Sequence, residues 1–287
     1  MQAKTVETAS DPTLHLPRIL CLHGGGTSAR IFRAQCRVLR TRLASSFRLV
    51  FPDAPFPSKP GPDVESVYAA WGPFRSWLPP APGGGFAASL DSVDAAAAKH
   101  INRSIEEAMQ EDNETGATGP WVGLLGFSQG AKMAASLLWR QQQLNQNHLR
   151  RRRMQGWEDS DDDMDLYGGG SWHYPLAGVR DNDANWAQQT TDYRFAVLLA
   201  GRGPLVSLRP DVKGSDVLCL PTIHVHGLRD AGLAMHRDLL YRYCEGGSAK
   251  LVEWDGDHRV PIKTGDVEAV VTQILQVARA TGLAWIS

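Results

Sequence analysis

The chain has 287 residues, 43% of them apolar, with 30 Lys and Arg against 31 Asp and Glu and a formal net charge of −1 at pH 7. That is apolar side chain enough for one large α/β domain or two small ones, and the near-neutral balance excludes a whole-molecule field of the kind that grips nucleic acid or an anionic membrane. The four cysteines, Cys21, Cys36, Cys219 and Cys244, form no C-x-x-C pair and have core-like neighbours, so they read as reduced, buried thiols. With a polar start and no run of about 18 apolar residues, a soluble cytoplasmic protein is expected.

Residues 1–15 read as a loose leader, and 16–287 as one domain. Arg18 to Leu22 is an apolar run ending in His23-Gly24-Gly25-Gly26, a buried strand entering a glycine loop. Ser28 is placed to cap a helix whose apolar face is Ile31, Phe32, Val38, Leu39 and Leu43. Phe47 to Phe51 is a second strand, stopped by Pro52 and the prolines after it. Residues 52–88 then form a long connection rich in proline, with Trp71, Phe74 and Trp77 set in it and Gly83-Gly84-Gly85 near its end. Helical spacing resumes from Leu90 through Ile105 and breaks at Asn113-Glu114-Thr115-Gly116. Trp121 to Phe127 is a strand, and Ala131, Ala134, Ala135 and Leu138 mark the face of the helix that follows. A basic block, Arg150 to Arg153, and an acidic one from Glu158 to Asp165 mark residues 141–192 as a charged, solvated insertion. Strands at Phe195–Ala200, Pro221–Val225 and Leu251–Trp254 alternate with helices at Leu233–Cys244 and Val267–Ala278. This rhythm predicts an α/β fold with a mostly parallel central sheet and helices on both faces.

The joint between the strand at 121–127 and its helix is spelled Gly126-Phe127-Ser128-Gln129-Gly130. A strand turning sharply into a helix lifts the corner serine clear of the sheet and crowds the positions two before and two after, where only glycine fits. The pentapeptide is common enough by chance to need its context. In open α/β sheets functional groups gather at the carboxyl ends of strands, and the titratable residues there are His23, Ser128, Asp230 and His258. Ser, Asp, His is the chain order of an α/β-hydrolase triad.

A serine hydroxyl is a poor nucleophile at neutral pH and needs a base, which in turn needs a group to fix its tautomer. His258, in Asp255-Gly256-Asp257-His258-Arg259-Val260-Pro261, is the candidate base, with His226 and His236 as rivals. Asp230 is the candidate acid, against Asp238, Asp53, Asp255 and Asp257. The tetrahedral oxyanion needs donors already in place, and the amides of Gln129 and Gly25 are the candidates. His23 reads as a brace for its loop. Trp71, Phe74 and Trp77 read equally as an acyl or aromatic pocket wall and as core beneath a long loop. The arginine block reads either as a dock for an acidic carrier or as a charge run neutralised by its acidic neighbour. No metal-ligand spacing or dinucleotide fingerprint is present in the sequence, so no cofactor is implied.

These stretches together resemble the FSH family of serine hydrolases, over roughly residues 17–280. The matching segments are Arg18–Gly24, Leu124–Ala131, Phe195–Gly201, His224–Asp230 and Gly256–Pro261. The resemblance implies an α/β-hydrolase fold with a cap or insertion after the nucleophile helix, and a Ser128, His258, Asp230 triad. Members of that family include esterases and thioesterases that release a polyketide chain from its synthase. The expectation is therefore a serine hydrolase acting on an ester or thioester, with a small-molecule or carrier-bound acyl substrate and an acyl carrier domain as possible partner. An acyltransferase using the same residues, and a non-catalytic binding protein on the same scaffold, are the rival readings.

Overall fold

The computed structural model describes residues 11–80, 93–154, 191–208 and 217–283. The glycine run at 83–85 and the acidic block at 158–165 lie outside these residues. Six parallel strands make the central sheet: β1 (Arg18–Leu22), β2 (Arg48–Val50), β5 (Trp121–Phe127), β6 (Thr191–Leu199), β7 (Thr222–Gly227) and β8 (Ala249–Trp254), in the order β2-β1-β5-β6-β7-β8. The inner strands β1, β5 and β7 are buried along their whole length, whereas the edge strand β8 is mostly open. This is why the inner strands read as unbroken apolar runs: a parallel sheet covered on both faces leaves no polar side.

Successive side chains leave the sheet on opposite faces, which divides the core in two. Leu20, Leu22 and Leu124 face one cluster with Trp77, Ile101 and Leu138; Ile19, Cys21 and Leu125 face the other with Phe32, Leu39 and Ile274. Helices α4 (Ala95–Glu114), α5 (Gln129–Met154) and α6 (Leu233–Tyr243) supply the first face. The second is covered by α1 (Ala29–Gln35), α2 (Arg37–Leu43) and α7 (Thr264–Ala280).

Where the sequence suggests one helix after Ser28, the structure has two. Ser28 does cap the first, its Oγ accepting from Ile31 N at 3.4 Å, but Cys36 leaves the helical region at ψ 10° and separates α1 from α2. The long connection also holds more structure than its prolines suggest. An antiparallel pair, β3 (Phe56–Ser58) with β4 (Phe74–Ser76), brackets α3 (Pro62–Tyr68), whose Pro62 stands at the first helical position where its missing N–H costs nothing. Helix α5 runs on through residue 154, so the first part of the expected insertion continues the helix that begins at the elbow. Gln142, buried there, donates to Val217 O and accepts from Cys219 N, tying that helix to the segment before β7.

At the start of β1, Arg18 is buried with its guanidinium 4.1 Å from the centre of the Trp121 ring. It donates to Gly119 O (2.6 Å) and to Asp112 Oδ2 (3.2 Å), while Arg48 Nε donates to Asp112 Oδ1 (2.8 Å). Part of the segment expected as a leader joins this network: Asp11 pairs with Arg48 at 2.6 Å, and Leu14 O accepts from Thr118 N at 2.8 Å. Cys21, Cys36 and Cys244 are buried free thiols, and burial pushes the Cys21 and Cys36 thiols well up. No helix among the described residues is long and apolar enough to cross a membrane.

Candidate active site

Strand β5 ends at Phe127 and α5 begins at Gln129, so Ser128 alone makes the corner, at φ +53° in the left-handed region that L side chains rarely enter. Its N–H donates to Leu199 O of β6 at 2.8 Å, anchoring the strained residue to the neighbouring strand. The flanking glycines are needed for the reason the sequence suggests. A Cβ on Gly126 would lie 2.2 Å from Gly130 O, and one on Gly130 would lie 2.0 Å from Leu22 O.

The expected partners converge on this corner. His258, in the loop after β8, places Nε2 3.0 Å from Ser128 Oγ and Nδ1 2.6 Å from Asp230 Oδ2. Asp230 sits in the turn after β7, and its other oxygen accepts from Gly232 N at 2.7 Å. Burial works to raise the Asp230 pKa, but the hydrogen bonds from Gly232, His258 and His236 outweigh it and bring the group down to about 2. It is therefore a carboxylate at any ordinary pH, an acceptor aimed at His258 Nδ1. That arrangement puts the Nδ1 proton toward Asp230 and leaves Nε2 free to take the serine proton.

The rival acids are engaged elsewhere. Asp53 Oδ1 accepts from Ala29 N at the start of α1, and Asp255, Asp257 and Asp238 pair with Arg229, Arg259 and Arg242. Of the rival bases, His226 lies fully buried inside β7, and burial lowers its pKa to about 4. His236 is at the site in another capacity. It is fully buried on α6, and its Nε2 lies 2.9 Å from the same Asp230 Oδ2 that meets His258. The sequence offers His236 only as a rival base, set behind His258 because it does not occupy a strand-end loop. Its position six residues after Asp230, one turn into α6, was the available signal. Asp230, His236 and His258 also bring ligand atoms within 4.8 Å of one another, close enough to take a metal ion, although hydrogen bonds occupy those same atoms here.

Around the serine, His23 braces its loop as expected. Its Nε2 accepts from Ala54 N at 3.0 Å, which places the proton on Nδ1, where it donates to Gly24 O at 2.7 Å; burial lowers its pKa to about 4, so it is neutral. Gly26 N–H is committed to Arg75 O, while Gly25 beside it is partly open to solvent between buried neighbours. The Gln129 side chain adds a link that the sequence does not announce. Its Oε1 accepts from Trp77 N at 2.7 Å and from Ser76 Oγ at 3.1 Å, clamping β4 onto the first residue of α5.

The three aromatics separate. Trp77 is fully buried in the core, and its Nε1 donates to His23 O at 2.9 Å, so of the two readings it takes that of a core residue rather than an open pocket wall. Trp71 is half-buried, with Tyr68 against its edge and the Arg30 guanidinium 4.3 Å over its ring, and Phe74 is half-buried on β4.

Residues 13–270 match the model of the family described as serine hydrolase (FSH1). A "probable esterase" of Aspergillus terreus is 52% identical over 276 residues, covering 94% of this chain and 92% of that protein. "Esterase pigG" of Monascus ruber is 47% identical over 304 residues, with 96% of each covered. Among solved structures, a carboxylesterase from Mesorhizobium loti overlays 90% of this chain on 88% of its own at 15% identity and a TM-score of 0.46. With the family match running over most of the chain, and relatives about half identical along nearly their whole length, this chain belongs to the serine hydrolase (FSH1) family and is a carboxylic ester hydrolase.

Proposed function

We propose that Ser128, His258 and Asp230 are the catalytic triad of an esterase and thioesterase, with the Gln129 and Gly25 amides as the oxyanion hole. The observation that carries this is the pair of contacts on one imidazole, 3.0 Å to a strained serine hydroxyl and 2.6 Å to a buried carboxylate. His258 Nε2 takes the Ser128 proton as Oγ attacks the acyl carbonyl, and the carboxylate of Asp230 stabilises the imidazolium that forms. The oxyanion is met by the N–H at the start of α5 and by the amide of Gly25. Protonated His258 then gives its proton to the leaving alcohol or thiol, and water, activated by the same base, releases the acid.

The thioester half of the reading rests on the resemblance to family members that release polyketide chains. The proposed substrate is accordingly a polyketide-type acyl chain of secondary metabolism, free or on an acyl carrier domain, handled in the cytoplasm. Half-buried Trp71 and Phe74 are the candidate aromatic surface for it. A fluorophosphonate probe should label the wild-type protein and leave Ser128→Ala unlabelled, with hydrolysis of a p-nitrophenyl ester falling by about 10⁴-fold or more. A folded wild-type protein that fails to label would overturn the triad. A model acyl thioester consumed only in the presence of an alcohol, with the transferred ester as sole product, would replace the hydrolase by an acyltransferase.

A further inference from the structure

We infer that His236 is a positioning residue of the site: its Nε2–H donates to the same Asp230 oxygen that meets His258 and sets how strongly that carboxylate supports the base. The inference rests on the triad reading above. Asp230 Oδ2 is shared by two imidazoles, His258 Nδ1 at 2.6 Å and His236 Nε2 at 2.9 Å, while Oδ1 accepts from Gly232 N. An ionised carboxylate has no proton to give, so each of these contacts must be a donation from nitrogen. The His236 ring is fully buried and nearly parallel to His258, at 24° with centroids 6.0 Å apart, and its Nδ1 lies 2.9 Å from Gly201 O.

Both His236 nitrogens face acceptors. Burial lowers the pKa of the ring, against the opposing pull of Asp230, so at neutral pH it carries one proton. The carboxylate is the stronger acceptor, which places that proton on Nε2 and leaves Nδ1 beside Gly201 O, where a second proton would be received. The titratable groups facing the ring are Asp230 and His258 in the loops and His226 on β7, its centroid 5.8 Å away; the Arg202 guanidinium lies alongside Gly232, at the start of α6. A hydrogen bond from His236 withdraws charge from the oxygen that His258 relies on. Removing it should concentrate that charge on His258 and make the base stronger but less well placed.

Two substitutions divide the ring into halves. In His236→Gln the amide nitrogen reaches the Nε2 position and can still donate to Asp230, whereas in His236→Asn it reaches only the Nδ1 position and Gly201 O. With p-nitrophenyl butyrate as substrate, His236→Gln should keep kcat within about threefold of wild type, with the acid limb of kcat/KM unmoved. His236→Asn should lose roughly tenfold in kcat with KM little changed, and its acid limb should move up by about half a pH unit. Equal behaviour of the two variants, whether both active or both impaired with an unmoved limb, would overturn the assignment and leave His236 as packing. Should either variant not fold, the wild-type protein decides the matter. An imidazole proton resonance far downfield, assigned to His236 Nε2 by ¹⁵N coupling, supports the inference, and an Nδ1 assignment sinks it. Fluorophosphonate labelling of Ser128 is scored separately, so a labelled enzyme indifferent to His236 would remove this inference alone.

Discussion

Gly130→Ala puts the elbow geometry to a quantitative test. The added Cβ would stand 2.0 Å from Leu22 O and 2.5 Å from His23 O, both backbone atoms at the end of β1. Ordinary carbon–oxygen contact begins above 3 Å, so β1 or α5 must retreat by about 1 Å or more. No side chain can rotate away to relieve this. Overpacking a core commonly costs 1–3 kcal/mol, and with backbone on both sides the substitution belongs at the top of that range, about 3 kcal/mol, or roughly 6–12 °C in Tm for a domain of this size. The displaced segment is also the one that leads into Gly25, so fluorophosphonate labelling should slow even in the folded fraction. Urea denaturation and the labelling rate are read together, with Gly265→Ala, whose Cβ would meet nothing within 4 Å, as the matched control. The control should lie within about 1 kcal/mol of wild type. A Gly130→Ala protein as stable and as quickly labelled as the control would show that the close approach of β1 to α5 is not what the elbow requires.

Three further expectations can be checked directly. Asp112→Ala leaves buried Arg18 without its carboxylate and should cost about 3–5 kcal/mol by urea denaturation; a loss below 1 kcal/mol would mean that the Gly119 carbonyl and the Asn113 side chain suffice. Gln129→Glu keeps an acceptor for Trp77 N–H and should change stability little, whereas Gln129→Leu strands that donor and should cost about 1–3 kcal/mol; equal stabilities of the two would refute the clamp. Burial lowers His23, His224 and His226 to about 4, 3 and 4, below the usual 6.5 or so of the unfolded chain. Between those values the unfolded chain binds more protons, so stability is complete above about pH 6.5 and falls as pH drops toward 4, by up to about 1.4 kcal/mol per unit for each histidine. A urea midpoint flat from pH 7 to pH 5 would contradict this.

The parts of the molecule legible in sequence were those where one local constraint decides. Ile19 and its neighbours, Trp121 to Phe127 and Ile223 to Val225 are buried on both faces, so their strands could only be spelled apolar, and the residues that end them were found by position. Ser128, His258 and Asp230 followed from chain order and loop placement. What escaped depends on contacts between distant segments. The hairpin of β3 with β4 is short and proline-flanked, and its pairing is supported by Gln129 and by Thr27, which no local pattern reveals. Trp77 read equally as pocket wall and as core, and what decides it, the indole N–H taken up by His23 O, joins segments 54 residues apart. His236 was legible only as a rival base, and its contact with Asp230 escaped because amphipathic spacing accounts for a buried residue on a helix without asking what its nitrogens touch.

The strand order β2-β1-β5-β6-β7-β8 also fixes a timetable. Ser128 comes from the middle of the chain, Asp230 from the turn after β7, and His258 takes its place only after the edge strand β8 has joined the sheet. Until β8 has docked, Ser128 therefore stands without its imidazole neighbour. The same arrangement makes reactivity toward a fluorophosphonate a reporter of sheet completion. In refolding, the appearance of label should follow the docking of β8, the strand with the most exposed face, and lag behind the recovery of helical signal from α4 and α5.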